Sequence, residues 1–216
     1  MLVREAVKIN ATGVGVAETP GGLSAIHHPG CAAAIWRRQV RPDFLSWANR
    51  LAPTRLPRGR VILHRDAVQD IVHQLCEIAE TPLDPEREWL VDDIAVLSQI
   101  FADLMGTEYL RLRLDAVSTN ACRLFHIDAI SARLVCTYRG AGTQYGLSAD
   151  GEDPDRVFSV PTGAPILLRG TLWPETPRSG LLHRSPPIEG TGETRLLLVI
   201  DPADAPENKQ EPEFLH

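Results

Sequence analysis

The sequence predicts an α+β protein in which a layer of helices precedes a small β-barrel or sandwich. Two hydrophobic periods carry that prediction. Between Asp66 and Met105 apolar residues recur every three to four positions, the spacing of a helix face turned towards a core. Beyond Gly106 the period drops to two, and short apolar runs follow, separated by Gly- and Pro-containing turns.

The first half contains three helical segments. Asp43 opens a short one that runs through Asn49. From Asp66 to Glu80, Val68, Ile71, Val72, Leu75 and Ile78 form one stripe, and Thr81-Pro82 stops it because proline cannot continue the hydrogen-bond ladder. From Pro85 to Met105, Trp89, Ile94, Leu97, Phe101 and Leu104 recur at near-helical spacing, with Gly106 just past the end. Residues 1–41 lack periodicity and are expected to be irregular, with one short strand.

In the second half Leu110, Leu112 and Leu114 alternate with Arg111, Arg113 and Asp115, the pattern of a half-buried strand. Further strands are predicted over Ala132–Tyr138, Arg156–Val160, Pro165–Leu168 and Thr194–Ile200. Alternation places Arg133, Val135 and Thr137 on one face and Leu134, Cys136 and Tyr138 on the other. It likewise separates Arg195, Leu197 and Val199 from Thr194, Leu196, Leu198 and Ile200. Residues 1–105 are thus an irregular segment with helices, 106–202 the β core and 203–216 a polar, flexible tail, together one structural domain.

The 28 acidic and 22 basic side chains give a formal charge of −6, which argues against a nucleic-acid binder with its net basic face. Only Lys8 and Lys209 are lysines, so the positive charge resides in arginine, the residue suited to planar, bidentate contacts with carboxylates. No apolar run is long enough to span a bilayer, and MLVREAVKINATG lacks a signal-peptide core; the expectation is a cytoplasmic chain with no membrane partner. Cys31, Cys76, Cys122 and Cys136 lie at irregular intervals and are expected to be reduced thiols. No Gly-x-Ser-x-Gly elbow for a serine nucleophile is present.

The chemistry concentrates in Cys122-Arg-Leu-Phe-His-Ile-Asp128. On a strand, His126 and Asp128 project to the same side. His183, in GLLHRSPP, is the best third ligand. Two imidazoles and one carboxylate make the facial triad of non-haem Fe(II) oxygenases, and the same set holds catalytic zinc. Arg195 lies in the otherwise apolar run LLLVI and requires an anionic partner, because an unpaired buried charge is very costly. A second thiol–imidazole site is conceivable at His27, His28 and Cys31.

This order, HxD, then GAPILLRGTLW and a distal His, then an Arg, resembles the double-stranded β-helix oxygenases that use Fe(II) and 2-oxoglutarate. The resemblance covers about residues 108–201 and implies a jelly-roll or cupin-like barrel behind the N-terminal helical layer. It implies that His126, Asp128 and His183 bind the metal and form the catalytic centre, and that Arg195 anchors the far carboxylate of 2-oxoglutarate. CRLFHIDAISARLVCTYRGAGTQYG, with LLRG and HRSPP, also resembles a conserved bacterial family of unknown function. Its genes are often found beside zinc-responsive metallochaperone GTPases, which makes zinc homeostasis the rival context.

Many 2-oxoglutarate enzymes place a Ser two residues after the anchoring Arg, whereas Leu197 stands there in this chain. Arg133, Tyr138 and Tyr145 are the candidates to replace that donor and contact the cofactor, and Trp173 could wall the pocket. The substrate, whether small molecule or protein, and the oligomeric state stay open at this level.

Overall fold

The computed structural model describes residues 10–148 and 152–206, so most of the expected tail, residues 207–216, lies outside the described residues. The first half supplies strands β1 (Gly13–Ala17), β2 (Cys31–Trp36) and β3 (Gly59–His64), and helices α1 (Pro42–Arg50), α2 (Val68–Ile78) and α3 (Pro85–Met105). The second half supplies β4 (Tyr109–Val117), β5 (Ala132–Arg139), β6 (Gln144–Leu147), β7 (Phe158–Ser159), β8 (Pro165–Arg169), β9 (Leu181–Arg184) and β10 (Arg195–Ala203). Among the described residues no helix is long and apolar enough to cross a membrane.

Seven strands form the large sheet in the order β1-β2-β8-β5-β10-β4-β3, and β7-β6-β9 form a small one. Neither strand order returns on itself, so the architecture is mixed α+β with two sheets, and no closed barrel is formed among the described residues. Before residue 41, where irregular chain with one short strand is expected, two strands form, β1 and β2. Cys31–Ile35 is buried on both faces, and a run of small apolar residues buried all round shows no alternation to read. β3 likewise joins the sheet beside β4 without having been predicted.

The expected helices form, and α3 ends where Gly106 turns left-handed at φ +62°. α1, α2 and α3 bury their apolar faces on one side of the large sheet. There Phe44, Leu75, Leu97 and Phe101 share a core with Leu110, Leu112 and Leu114 of β4, Leu134 and Cys136 of β5, and Leu196, Leu198 and Ile200 of β10. The opposite side holds a second, smaller core: Val135, Ile166, Leu168, Leu197 and Val199 with Leu181 of the small sheet. The two-residue alternation read from the sequence assigns β5 and β10 correctly to these two layers.

That assignment corrects one expectation. Tyr138 lies on the helix side, fully buried, and its hydroxyl donates to Asp93 Oδ2 at 2.6 Å. Arg38 grips the same carboxylate with both terminal nitrogens at 2.5 and 2.6 Å and donates from Nε to Gly163 O at 2.7 Å. The cluster pins α3 to the sheet from behind. Burial, reinforced by Asp93, pushes the Tyr138 phenol well above its usual range, so the hydroxyl stays a donor. Replacing Tyr138 by Phe is expected to cost about 1.5–3 kcal/mol, the range for a hydrogen bond to a charged group. The check is a urea midpoint, and metal content should stay at the wild-type value.

Candidate metal centre

β9 places the first ligand. His183 pairs with Tyr145 of β6 on one side. On its other side it forms an isolated antiparallel bridge with His126, exchanging both backbone hydrogen bonds at 3.0 and 3.1 Å. Directly opposed residues project to the same side, so the two imidazoles face one space, with ring centroids 4.6 Å apart.

Asp128 arrives differently from the expectation of a shared strand. Only His126 is bridged; Asp128 sits in the loop that follows, stitched to the turn after β8. Thr171 N donates to Asp128 O at 2.9 Å, Leu172 N to Ile130 O at 3.0 Å, and Gly170 N to Ser131 O at 2.8 Å. The loop runs so close to Gly170 that a Cβ there would lie 2.0 Å from Ile130 O. Only glycine permits that approach. The signal GAPILLRG was present in the sequence; its partner loop was not readable from it.

His126 Nε2 lies 3.6 Å from Asp128 Oδ1, and His183 Nε2 3.1 Å from Asp128 Oδ2. One donor atom from each of the three residues can be chosen within 4.8 Å of the others. Ligands about 2.0–2.2 Å from one ion are separated by roughly 3–3.5 Å at octahedral or tetrahedral angles, so the triad can hold a metal. Asp128 Oδ2 is buried with no hydrogen bond, since its contact with His183 is close but misaligned. His126 Nδ1 lies 2.8 Å from Leu124 O; as the donor there, it leaves Nε2 with its lone pair towards the space. His183 Nδ1 is buried without such a partner.

Arg133 locks the carboxylate. Its Nη1 donates to Asp128 Oδ1 at 2.6 Å, while Nε and Nη2 fork onto Asp201 at 2.7 Å each. Arg133 is therefore engaged by two aspartates, which corrects its assignment as a contact for a cofactor. Burial alone would raise the Asp128 pKa; His183, Arg133 and His126 outweigh it and hold the value at about 2. The group is thus an anion at neutral pH, as a ligand must be.

Arg195 starts β10 in the same layer. It is 1% exposed, donates from Nε to Ala141 O at 2.6 Å and from Nη2 to Thr137 Oγ1 at 3.2 Å. Its Nη1 is buried without a partner, and no carboxylate pairs with it among the described residues. Burial pulls its pKa down to about 10, partly offset by Glu193. Thr137 stands opposite Leu197 in the β5–β10 register, so a hydroxyl on the neighbouring strand lies beside the position that lacks the Ser. Alternation had placed Thr137 on this face, and only its role went unread.

Tyr145 stacks on Phe158 at 5.5 Å and packs against the site-side core. Trp173 instead lies under Arg169 at 4.6 Å and packs against the helix-side core. The second thiol–imidazole site is corrected: Cys31 is buried with its Sγ donating to Ala33 O at 3.0 Å. Among the described residues the His126–Asp128–His183 group alone has three metal-binding side chains converging. All four cysteines are free, Cys122 exposed and the others buried.

The overall fold, mixed α+β with a large sheet, resembles that of a solved dioxygenase. Dioxygenase for auxin oxidation 1 from Arabidopsis thaliana, solved as its 2-oxoglutarate binary complex, superposes with a TM-score of 0.53 at 11% identity, covering 92% of this chain and 94% of that one. The auxin-oxidising dioxygenase of rice gives 0.47 at 12% identity, over 92% and 84%. No curated protein matches the chain. Residues 17–201 match a family described as a protein of unknown function, DUF1826, and the chain belongs to that family.

The lock on Asp128 has a measurable consequence. Asp201→Asn removes a charge from the Arg133 fork without touching the triad, and outer-shell losses of this kind typically cost about 10–100-fold in metal affinity. Competition with a chelator of known affinity should show that drop while thermal unfolding of the metal-free protein shifts far less. An unchanged metal affinity would make Arg133–Asp201 a purely structural pair.

Proposed function

We propose that the chain is a non-haem Fe(II)- and 2-oxoglutarate-dependent oxygenase in which His126, Asp128 and His183 hold the metal. The observation that carries this reading is Arg195, a buried arginine with an unpartnered nitrogen and no ion-paired carboxylate among the described residues, on the sheet face that carries Leu197 and Val199. A buried guanidinium with an orphaned nitrogen is stabilised by a counter-charge, and a dicarboxylate supplies one together with a second carboxylate for the metal. The fold shared with a dioxygenase solved with 2-oxoglutarate supports the choice of dicarboxylate. The two sheets would then correspond to the two halves of a double-stranded β-helix, with the first-half strands and helices extending it.

Each residue has a distinct task. Arg195 and Thr137 receive the distal carboxylate, the first by charge and fork geometry and the second by a hydroxyl that can turn from Arg195 Nη2 towards the ligand. Arg133 keeps the Asp128 carboxylate ionised and fixed in rotation. Leu181, Leu197 and Val199 line the same layer with apolar surface and exclude water. Iron, when bound, would supply the redox chemistry by which dioxygen oxidises both 2-oxoglutarate, to succinate and carbon dioxide, and a substrate C–H bond, to the alcohol.

Zinc is the second reading, because two imidazoles and a carboxylate suit it equally in donor chemistry. In that case the chain is a cupin-like metal protein with a hydrolytic, sensing or zinc-supply role. Protein purified anaerobically separates the two. Iron with bound 2-oxoglutarate supports the oxygenase, whereas one equivalent of tightly held zinc without organic acid supports the alternative.

The sharper test is Arg195→Lys, which keeps the charge and loses the planar fork. Anaerobic calorimetry on the metal-loaded protein should show 2-oxoglutarate affinity falling by about tenfold to a few hundredfold, equivalent to roughly 1.5–3 kcal/mol. Metal content should hold, and succinate release should fall in step. Equal affinities for the variant and the wild type would remove Arg195 from the site.

A further inference from the structure

The site-side face of the large sheet continues past the small core onto β4 and β3. Leu110, Leu112 and Leu114 point into the helix-side core, so Arg111, Arg113 and Asp115 share the face of Arg133, Val199 and Asp201. The register fixes their neighbours. Asp201 stands opposite Arg111, Val199 opposite Arg113, and Arg113 in turn opposite Arg60 of β3. Adjacent strands lie about 4.8 Å apart, so Arg113 is roughly 10 Å across the sheet from the strand of Arg133, which holds Asp128.

Charge on this flank is unbalanced. Asp115 Oδ2 is 3.1 Å from Arg113 Nε and 3.9 Å from Arg60 Nη2, so one carboxylate oxygen serves two guanidinium groups. Its contact with Arg113 is misaligned, and Arg113 Nε is buried with no hydrogen bond. Arg111 has no ion pair among the described residues, and Asp201 is committed to Arg133. The groups are reachable: the Arg113 and Arg60 side chains are 30% and 49% exposed. Burial, with repulsion from Arg133 and Arg60, outweighs the attraction of Asp115 and Asp201 and lowers the Arg113 pKa. In a chain of formal charge −6, three arginines around one aspartate form a local excess of positive charge beside the metal centre.

We propose that Arg113, Arg60 and Arg111 form a second anion site, distinct from Arg195, which binds the acid group of a small carboxylate- or phosphate-bearing molecule next to the metal. That the bound molecule is the substrate rests on the oxygenase reading; the anion site itself does not. An organic acid seated on Arg113 would lie on the same sheet face as Arg133, two strands from the residue that holds Asp128. The flank thereby selects for anionic substrates and leaves Arg195 to the dicarboxylate.

Benzoate and phenyl phosphate are the probes, a carboxylate and a phosphate on the same apolar body. Each is titrated calorimetrically into the zinc-loaded full chain, with and without saturating 2-oxoglutarate. At least one should bind, with an affinity indifferent to 2-oxoglutarate. Arg113→Gln and Arg60→Gln should each weaken it by about tenfold, the scale of one charge-assisted contact, and Arg195→Gln should leave it within about twofold. Arg113→Lys, which retains the charge, should recover part of the loss. Binding of neither probe overturns the proposal, as does equal binding by an Arg60→Gln/Arg111→Gln variant with wild-type thermal stability. Loss of probe binding in Arg195→Gln also overturns it, by assigning the anion to the other arginine. Failure of 2-oxoglutarate to bind while the probe still binds through Arg113 would sink the oxygenase reading and leave the anion site standing.

Discussion

Strand β10 lies between β4 and β5, and its two-residue period decides what each side of the molecule can be. Leu196, Leu198 and Ile200 belong to the helix-side core, while Arg195, Leu197, Val199 and Asp201 face the other way. The first set ties α1–α3 to the sheet. The second set places, in one line, the arginine with an orphaned nitrogen, two apolar residues and the aspartate that anchors Arg133. A slip of one residue would exchange the two sets, bury Arg195 and Asp201 among leucines and strand Asp128 without its lock. Fold and site are therefore fixed by the same register.

Two kinds of backbone device then build the triad on that frame. His126 and His183 are set by mutual pairing, which needs only two extended segments and fixes both rings to one side. Asp128 is set by sequence-distant contacts, through Thr171 and the absent side chain of Gly170. The first device is stiff because the hydrogen bonds are backbone to backbone. The second would be loose on its own, and Arg133 restrains it from the side-chain end. Backbone stitching and an ion-pair lock acting on one carboxylate leave it little freedom to reorient.

Much of this was legible in the residues, for reasons that differ by element. α2 and α3 carry a 3.6-residue stripe and clear stop signals, and β4 carries clean alternation because only one of its faces meets the large core; β5 and β10, buried on both faces, were legible as apolar runs bounded by turn residues. β2 was not legible, since Cys31–Ile35 is buried on both faces and so loses its period. The metal-binding triad could be named from His126, Asp128 and His183, but the strand assumed for Asp128 was wrong. HxD spacing constrains where two side chains can meet and says nothing about whether the second residue is paired. Tyr138 was misplaced although its own alternation put it opposite Arg133; the proximity of the two in sequence concealed that they lie on opposite sides of the sheet. Asp201 gave no signal at all, because its meaning depends on an arginine on a neighbouring strand.

The arginines can be sorted by what neutralises them, and the sorting separates scaffold from site. Arg38 has a buried carboxylate in bidentate geometry, and Arg133 has two carboxylates. Arg169 has no carboxylate, yet the carbonyls of Ile26, His28 and Pro29 surround it, and Trp173 covers its face. Arg87 is buried with one misfit nitrogen, but Glu77 and Glu88 lie within 4.0 Å. Each of these is compensated within the fold and needs nothing from outside. Arg195 has one carbonyl and one hydroxyl, an orphaned nitrogen and, among the described residues, no ion-paired carboxylate. Arg113 shares a single misaligned carboxylate with Arg60. An uncompensated cation raises the free energy of the folded chain by several kcal/mol when buried, a cost that a bound anion removes. The two arginines left wanting lie on the sheet face that carries Arg133 and Asp201, the pair that locks Asp128, and so the missing negative charge belongs to the face that carries the triad.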